Sequence, residues 1–595
     1  SITTMKFGQL LSVVLIAGLV GIATNVGYEY ITTEKPHPDQ KKFNEFLDEN
    51  WQDSLESSPL FASLLGDKRY DDQVSSNSVE DFFSSGEYEK YVLEVLNGIN
   101  PENLSEDGKL NYRLLKSDYE VSLEGRKYPG YYMRLNQRGG VQDYYLYGNR
   151  LNFNDLQSYK NWFERVKGYT QNVRNSLAIN KEGLELGYTQ PKLVTRGVSA
   201  QIGAMLEQNL EDHPYYKIFK DVGNVATTEE ATALQNEVKD YIKNVLNPAY
   251  QELYDFLVNE YLPKSRDSIG ISDVPNGKEW YEYLARYHTT TDLTPDEIHE
   301  IGLREVAKIR AEMEGIIARV GWEGDFNSFL QYLRTDPKFY YETGEELLQA
   351  YRAMSKEIDA YMPTLFNKLP RAPYGVIPIP MESAPFTTTA YYNAPSAGRP
   401  GYYYANLYMP EVRPKYEIPV LSVHEAVPGH HHQISLAQEM ENVPNFRKYL
   451  SITAFVEGWG LYSEQLGESM GIYDDPYDKF GQLTYDMWRA VRLVVDTGMH
   501  YKGWSRDDAV NLFLNNTAKT EQDINNEVDR YIAWPGQALA YKIGQLKIME
   551  LRDKAKAALG DDFDIKDFHD HMLSFGSIPL NILEEKVDEF IASKK

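Results

Sequence analysis

Apolar residues recur at intervals of three and four along most of this chain, and that period, more than any single motif, limits what it can fold into. Over 231–261, Leu234, Val238, Tyr241, Ile242 and Val245 mark one stripe of an amphipathic helix. Asn247-Pro248 is expected to kink or break it, because proline has no N–H to give the ladder. Another helix is predicted over 293–313: Thr294 suits the N-cap, Pro295 the first turn, and Glu297 completes a capping box. Between 371 and 410 the period gives way to Pro, Gly, Thr and Tyr. Two β-branched and aromatic runs there, 386–392 and 402–407, read as strands joined by a wide loop. The helical period resumes at Pro419 and lasts to the C-terminus. The expected fold is mainly α, a large helical molecule with one small β-sheet at 376–408. An N-terminal helical region, 41–290, is expected to pack as one unit with a region, 291–595, that carries the sheet and the unusual residues.

The first 40 residues have a different texture. Lys6 is followed by an uncharged run, 10–23, ending in small residues, the pattern of a signal peptide or an uncleaved membrane anchor within 1–28, with 29–40 as linker. The protein is therefore expected outside the cytoplasm, periplasmic or anchored facing the periplasm, with inner-membrane association through 7–28 if the run is retained. Lys and Arg number 61 against 88 Asp and Glu, a net charge of −27 with no basic run, which argues against nucleic acid as a partner and favours neutral or basic peptides. Cysteine is absent, so disulfides, thiolate zinc sites and thiol nucleophiles are excluded. Any transition metal must rest on His and carboxylate.

Four of the 11 histidines fall within 424–432, in the segment PVLSVHEAVPGHHHQ. A His-Glu pair followed by another His is how one helix supplies two zinc ligands and a general base, here His424 and Glu425. The usual second ligand stands four residues on, and Pro428 occupies that position. In a straight helix His430 would lie about 9 Å along on another face, and His431 over about 10 Å away, too far for two imidazoles to share an ion. Pro428-Gly429 must therefore open the helix so that the extra residues loop out. That favours His430 over His431 as the second ligand.

A second helix is predicted within 444–470, where Glu457 and Glu464 stand seven apart among Phe455, Trp459, Leu461 and Tyr462. Carboxylates in such company call for a cation, and Glu457 is the candidate third ligand, leaving a fourth position for water. A third helix over 485–501 puts Arg489, Arg492, Asp496 and His500 on one face. Asp496 can orient His500 so that a protonated ring donates to an oxyanion, and Tyr541, after the Pro535-Gly536 turn, offers a second donor. His431, Glu464 and Asp496 are the candidate supporting groups or alternative ligands. Arg489 or Arg492 can hold a peptide carboxylate, and the Tyr391-Tyr392 run can bind an extended peptide by strand addition.

As a set, the stretches from His424 to His431, Glu457 to Glu464 and Pro535 to Gly544 resemble the bacterial domain of unknown function 885 family, whose members are often exported. That family is in turn similar to gluzincin peptidases of the thimet oligopeptidase, neurolysin and carboxypeptidase Taq kind. The resemblance implies a helical zincin-like fold with a channel and one zinc at its floor, held by His424, His430 and Glu457 with Glu425 as base. The chain departs from the gluzincin pattern by the two residues inserted after Glu425. Read together, residues and resemblance point to a zinc-dependent hydrolase of short peptides; the alternative is a peptidase-like binding protein or accessory subunit of an envelope complex.

Overall fold

The three- and four-residue period is realised as a succession of helices, seen here in a computed structural model that describes residues 35–381 and 384–595. The expected signal peptide or anchor, 1–28, lies outside the described residues. Helices Pro38–Ser57, Val79–Asn97 and Glu106–Gly125 close a small core around Phe43, Phe46, Val92 and Leu96. Leu156–Leu186 and Lys192–Leu206 build a second one around Trp162, Val173, Ile202 and Tyr250. The break expected at Pro248 does not occur. Helix Thr228–Tyr241 passes through a π turn, Ile242–Leu246, into Asn247–Phe256. Pro248 stands in the first turn of that last piece, and the wider turn ahead of it leaves room for the ring and asks for no N–H.

The largest core is organised by α1 (Pro295–Arg319), α2 (Ile418–Glu425), α3 (His430–Gln438), α4 (Thr453–Leu466), α5 (Pro476–Tyr501), α6 (Glu521–Ala533) and α7 (Ala540–Leu559). The predicted capping box opens α1: Thr294 Oγ1 accepts from Glu297 N at 3.2 Å and Thr294 N donates to Glu297 Oε2 at 2.9 Å. α5 is buried on every side from Phe480 to His500, so its charged face points inward rather than to solvent. α1 lies along it at Gly302, where an added Cβ would come within 2.8 Å of the Leu493 and Val494 side chains. This core also takes in Leu110, Val194, Ile271 and Trp280, so it runs across position 290. No helix among the described residues is long and apolar enough to cross a membrane.

The sheet has three strands rather than two, β1 (Tyr374–Pro378), β2 (Ala390–Asn393) and β3 (Gly401–Ala405), in the order β1-β3-β2. β3 pairs in parallel with β1 and antiparallel with β2. β1 was masked in the sequence by its flanking prolines; as an edge strand it tolerates the N–H that Pro378 lacks. The run predicted from 386 begins as a short 3₁₀ turn, Ala384–Phe386, and becomes a strand only at Ala390. β2, on the other edge, carries Tyr392 against His430 and His431, while Tyr391 stacks on Tyr404.

Candidate metal centre and the cleft above it

α2 ends at Glu425, and Ala426, at φ −96° and ψ −111°, leaves the helix. The chain folds back so closely that Gly429 N donates to Val423 O at 2.9 Å, and a Cβ on Gly429 would lie 1.9 Å from His424 O. Trp459 Nε1 in α4 donates to Pro428 O at 2.8 Å and pins the loop. α3 then restarts at His430. The Pro-Gly insertion thus returns His430 to His424, with ring centroids 4.7 Å apart.

Glu457 reaches the same point from α4. Its Oε2 stands 3.5 Å from His424 Nε2 and 3.4 Å from His430 Nε2. A tetrahedron of about 2.05 Å bonds has edges of about 3.3 Å, so each imidazole nitrogen stands from Glu457 Oε2 at the spacing of two ligands of one zinc-sized ion, and the three ligand atoms lie within 4.8 Å of one another. His424 lies flat against α4 because Gly460 has no side chain: a Cβ there would meet the ring at 2.8 Å. His424 Nδ1 donates to Glu464 Oε1 at 2.8 Å, a contact that turns Nε2 toward Glu457. Burial alone would lower the His424 pKa, but Glu457 and Glu464 raise it to about 10. Burial likewise disfavours the Glu457 carboxylate, and His430 and His424 hold it well below its usual range. The buried carboxylates thus favour positive charge on or beside the His424 ring.

These groups form the floor of a cleft of about 270 Å³. Glu425, 8 % exposed, lines it beside His424. Tyr391, Tyr392, Arg489, Arg492 and Tyr541 line it too. Arg489 Nη1 lies 3.1 Å from Glu464 Oε1, and Arg492 Nη2 donates to Glu527 Oε2 at 3.1 Å. The Tyr541 hydroxyl accepts from Arg530 Nη2 at 3.1 Å, which leaves its own proton for the cleft.

A family model described as a bacterial protein of unknown function, DUF885, matches residues 59–587. The chain belongs to the DUF885 family. Solved structures similar to this DUF885 protein include two described as lipoproteins. One is described as "the putative lipoprotein from Colwellia psychrerythraea", with 28 % identity and TM-score 0.86, covering 94 % of this chain and 100 % of the other. The second is described as "a putative lipoprotein of unknown function from Shewanella oneidensis", with 17 % identity and TM-score 0.72 over 91 % and 99 % of the two chains; at that identity it speaks for the fold alone. No curated protein matches the chain.

Other expected site residues of this DUF885 protein lie elsewhere or have other partners. His431 points away from the cluster, taking a bond from the Tyr392 hydroxyl at Nδ1 (2.7 Å) and giving one to Ala372 O from Nε2 (2.8 Å), so it ties the sheet to α3. His500 is fully buried outside the cleft: Ile271 N donates to its Nδ1 at 3.0 Å and its Nε2 donates to Tyr531 O at 2.8 Å. Burial lowers its pKa to about 4, so the protonated donor expected there is a neutral, engaged ring. Asp496 does not pair closely with it. Its Oδ2 accepts from the Tyr281 hydroxyl at 2.6 Å and from Gly536 N at 3.0 Å, anchoring the turn that starts α7 and aims Tyr541. Sequence reasoning missed Arg138, Glu527 and Arg530, all in the cleft wall. The i, i+3 spacing of Glu527 and Arg530 on α6 was a usable signal; Arg138, alone before a Gly-Gly turn, had none.

Proposed function

We propose that this chain is a zinc-dependent hydrolase of peptide bonds with a gluzincin-like, zincin-type site, acting on short peptides in the cell envelope. The observation that supports it most is the meeting of His424, His430 and Glu457 at ligand spacing with Glu464 behind His424. Two imidazoles that give up their protons to a metal, with a carboxylate, are a donor set suited to a catalytic zinc. When bound, zinc supplies Lewis-acid polarisation of a carbonyl and a lowered pKa for water. Glu425 takes the proton from the attacking water and delivers it to the leaving amine. Tyr541 donates its hydroxyl proton to the oxygen of the carbonyl under attack. The free edge of β2 holds the substrate backbone extended beside the site. An envelope location agrees with the lipoprotein description of the Colwellia structure.

Elemental analysis of purified protein, followed by digestion of a mixed peptide library with and without chelator, tests the proposal. One zinc per chain is expected, with chelator-sensitive cleavage. Glu425→Gln is expected to keep the metal and lose about 10²–10⁴-fold in turnover. Stoichiometric metal with no cleavage of any peptide would favour the binding-protein alternative.

A further inference from the structure

We infer that the cleft takes a substrate carrying two carboxylates at its reacting end, a peptide or N-acyl compound whose terminal residue is aspartate or glutamate. This rests on the hydrolase reading for the bond that is cut and on a divalent ion at the floor for its charge balance; the unmatched arginine donors stand on their own geometry. Four arginines from three parts of the chain line one wall: Arg138 from the loop ahead of 141, Arg489 and Arg492 from α5, and Arg530 from α6. Arg489 and Arg492 are only 5 % and 3 % exposed. In a chain of net charge −27, four guanidinium groups facing one small cleft need a ligand-level reason.

Their own counter-charges are too few. Glu464 meets Arg489, while Glu527 meets Arg492 at 3.1 Å and stands 3.7 Å from Arg530. Glu527 is held firmly ionised: burial opposes the charge, but Arg530, Arg492 and Arg138 pull its pKa down to about 2. For Arg138 the balance tips the other way, burial and the neighbouring Arg530 charge both lowering its pKa. The nearby lysines are neutralised separately, Lys519 by Glu417 at 3.1 Å and Lys542 by Asp486 at 2.6 Å. Four guanidinium groups thus face two carboxylates, and two positive charges are left over.

The donors tell the same story as the charges. Arg489 Nε, Arg492 Nη1, Arg530 Nε and Arg138 Nε are all buried without a hydrogen-bond partner. Leaving charged donors unmatched is costly, and a ligand that brings carboxylate oxygens to this wall relieves the deficit. On the floor, Glu425 and Glu457 would balance a bound divalent ion, which leaves the surplus to the wall. A cleft of about 270 Å³ holds one terminal residue rather than a length of chain. The α-carboxylate and the side-chain carboxylate of a terminal acidic residue match the two free charges. The local field reverses the preference for basic peptides that net charge alone suggests.

Calorimetric titration of the full chain, zinc-loaded and metal-free, with N-acetyl-L-glutamate, N-acetyl-L-glutamine and N-acetyl-L-lysine tests the subsite. The glutamate is expected to bind at least about tenfold more tightly than the glutamine, a difference of about 1.4 kcal/mol. Arg530→Gln, or Arg138→Gln, is expected to weaken the glutamate compound about 30-fold and to narrow its advantage over the glutamine compound. Equal affinities for all three compounds, or no binding by any, overturns the subsite. Peptides ending in Glu, Gln or Lys then separate the two readings. Cleavage without preference for Glu overturns the acidic substrate and keeps the hydrolase; selective binding without cleavage keeps the subsite and overturns the hydrolase.

Discussion

A carboxylate behind a metal-ligating imidazole decides which nitrogen faces the metal. Glu464 is fully buried, and its bond to His424 Nδ1 leaves Nε2 as the lone-pair donor toward the cluster. Glu464→Gln keeps the shape and removes the charge. It is expected to weaken zinc binding about 10–100-fold, read by competition against a chelating dye, with the fold intact by circular dichroism. Unchanged affinity would strip Glu464 of that role. Gly429 makes a steric prediction: with His424 O 1.9 Å from any Cβ placed there, Gly429→Ala is expected to cost about 3 kcal/mol in thermal denaturation and to release zinc with it. At this scale the sequence was readable wherever geometry left one solution, as when Pro428-Gly429 singled out His430 over His431. It failed at His500, because an i, i+4 Asp–His pair looks the same whether exposed or buried. Spacing along α5 says nothing of Ile271, whose backbone N–H, from another part of the chain, takes the ring.

Elements were readable where their signals are local. The capping box that starts α1 needs only Thr294, Pro295 and Glu297, whereas β1 exists only because β3 lies beside it, and Pro248 stays helical because a π turn absorbs it. The crossing of α4 and α7 depends on glycine: a Cβ on Gly458 would lie 2.6 Å from Gly544 Cα, and one on Gly544 would lie 2.0 Å from Ala454 O. Gly544→Ala is therefore expected to push α4 outward, lowering the melting temperature and loosening zinc through Glu457, both measurable on one sample. α5 makes a pH prediction through His500. Between its unfolded value of about 6.5 and its native value of about 4, the unfolded chain binds a proton that the buried ring refuses. Stability from this group is thus present above about 6.5 and lost as pH falls toward about 4, by about 1.4 kcal/mol per pH unit. Asp496, raised by burial to about 7, works in the opposite sense over much of that window. His500→Gln is expected to flatten the acid side of the stability–pH curve without changing zinc content. Lost turnover in a folded variant would return the ring to the chemistry.

At the scale of the molecule, net charge and helical period are averages, and the cleft is where the averages mislead. A chain of −27 lines this one cleft with four arginines, and the core runs unbroken across position 290, as the expected packing of the two regions into one unit requires. The pieces that close the site from the N-terminal side are specific. Arg138 completes the cleft wall, Ile271 N holds His500, and the Tyr281 hydroxyl holds Asp496, which in turn anchors the turn carrying Tyr541. Cut at 290, the C-terminal half would expose the surfaces that Leu110, Val194, Ile271, Trp280 and Tyr281 cover and leave Asp496 buried with one fewer partner. Residues 291–595 expressed alone are therefore expected to lack fixed packing. The measurements are near-ultraviolet circular dichroism, which should be weak, and size-exclusion chromatography, which should show aggregation. Supplying 35–290 as a separate chain is expected to restore both the packing and one zinc per complex. A well-packed, zinc-binding 291–595 on its own would make the N-terminal half an accessory and detach Arg138 from the chemistry of the cleft.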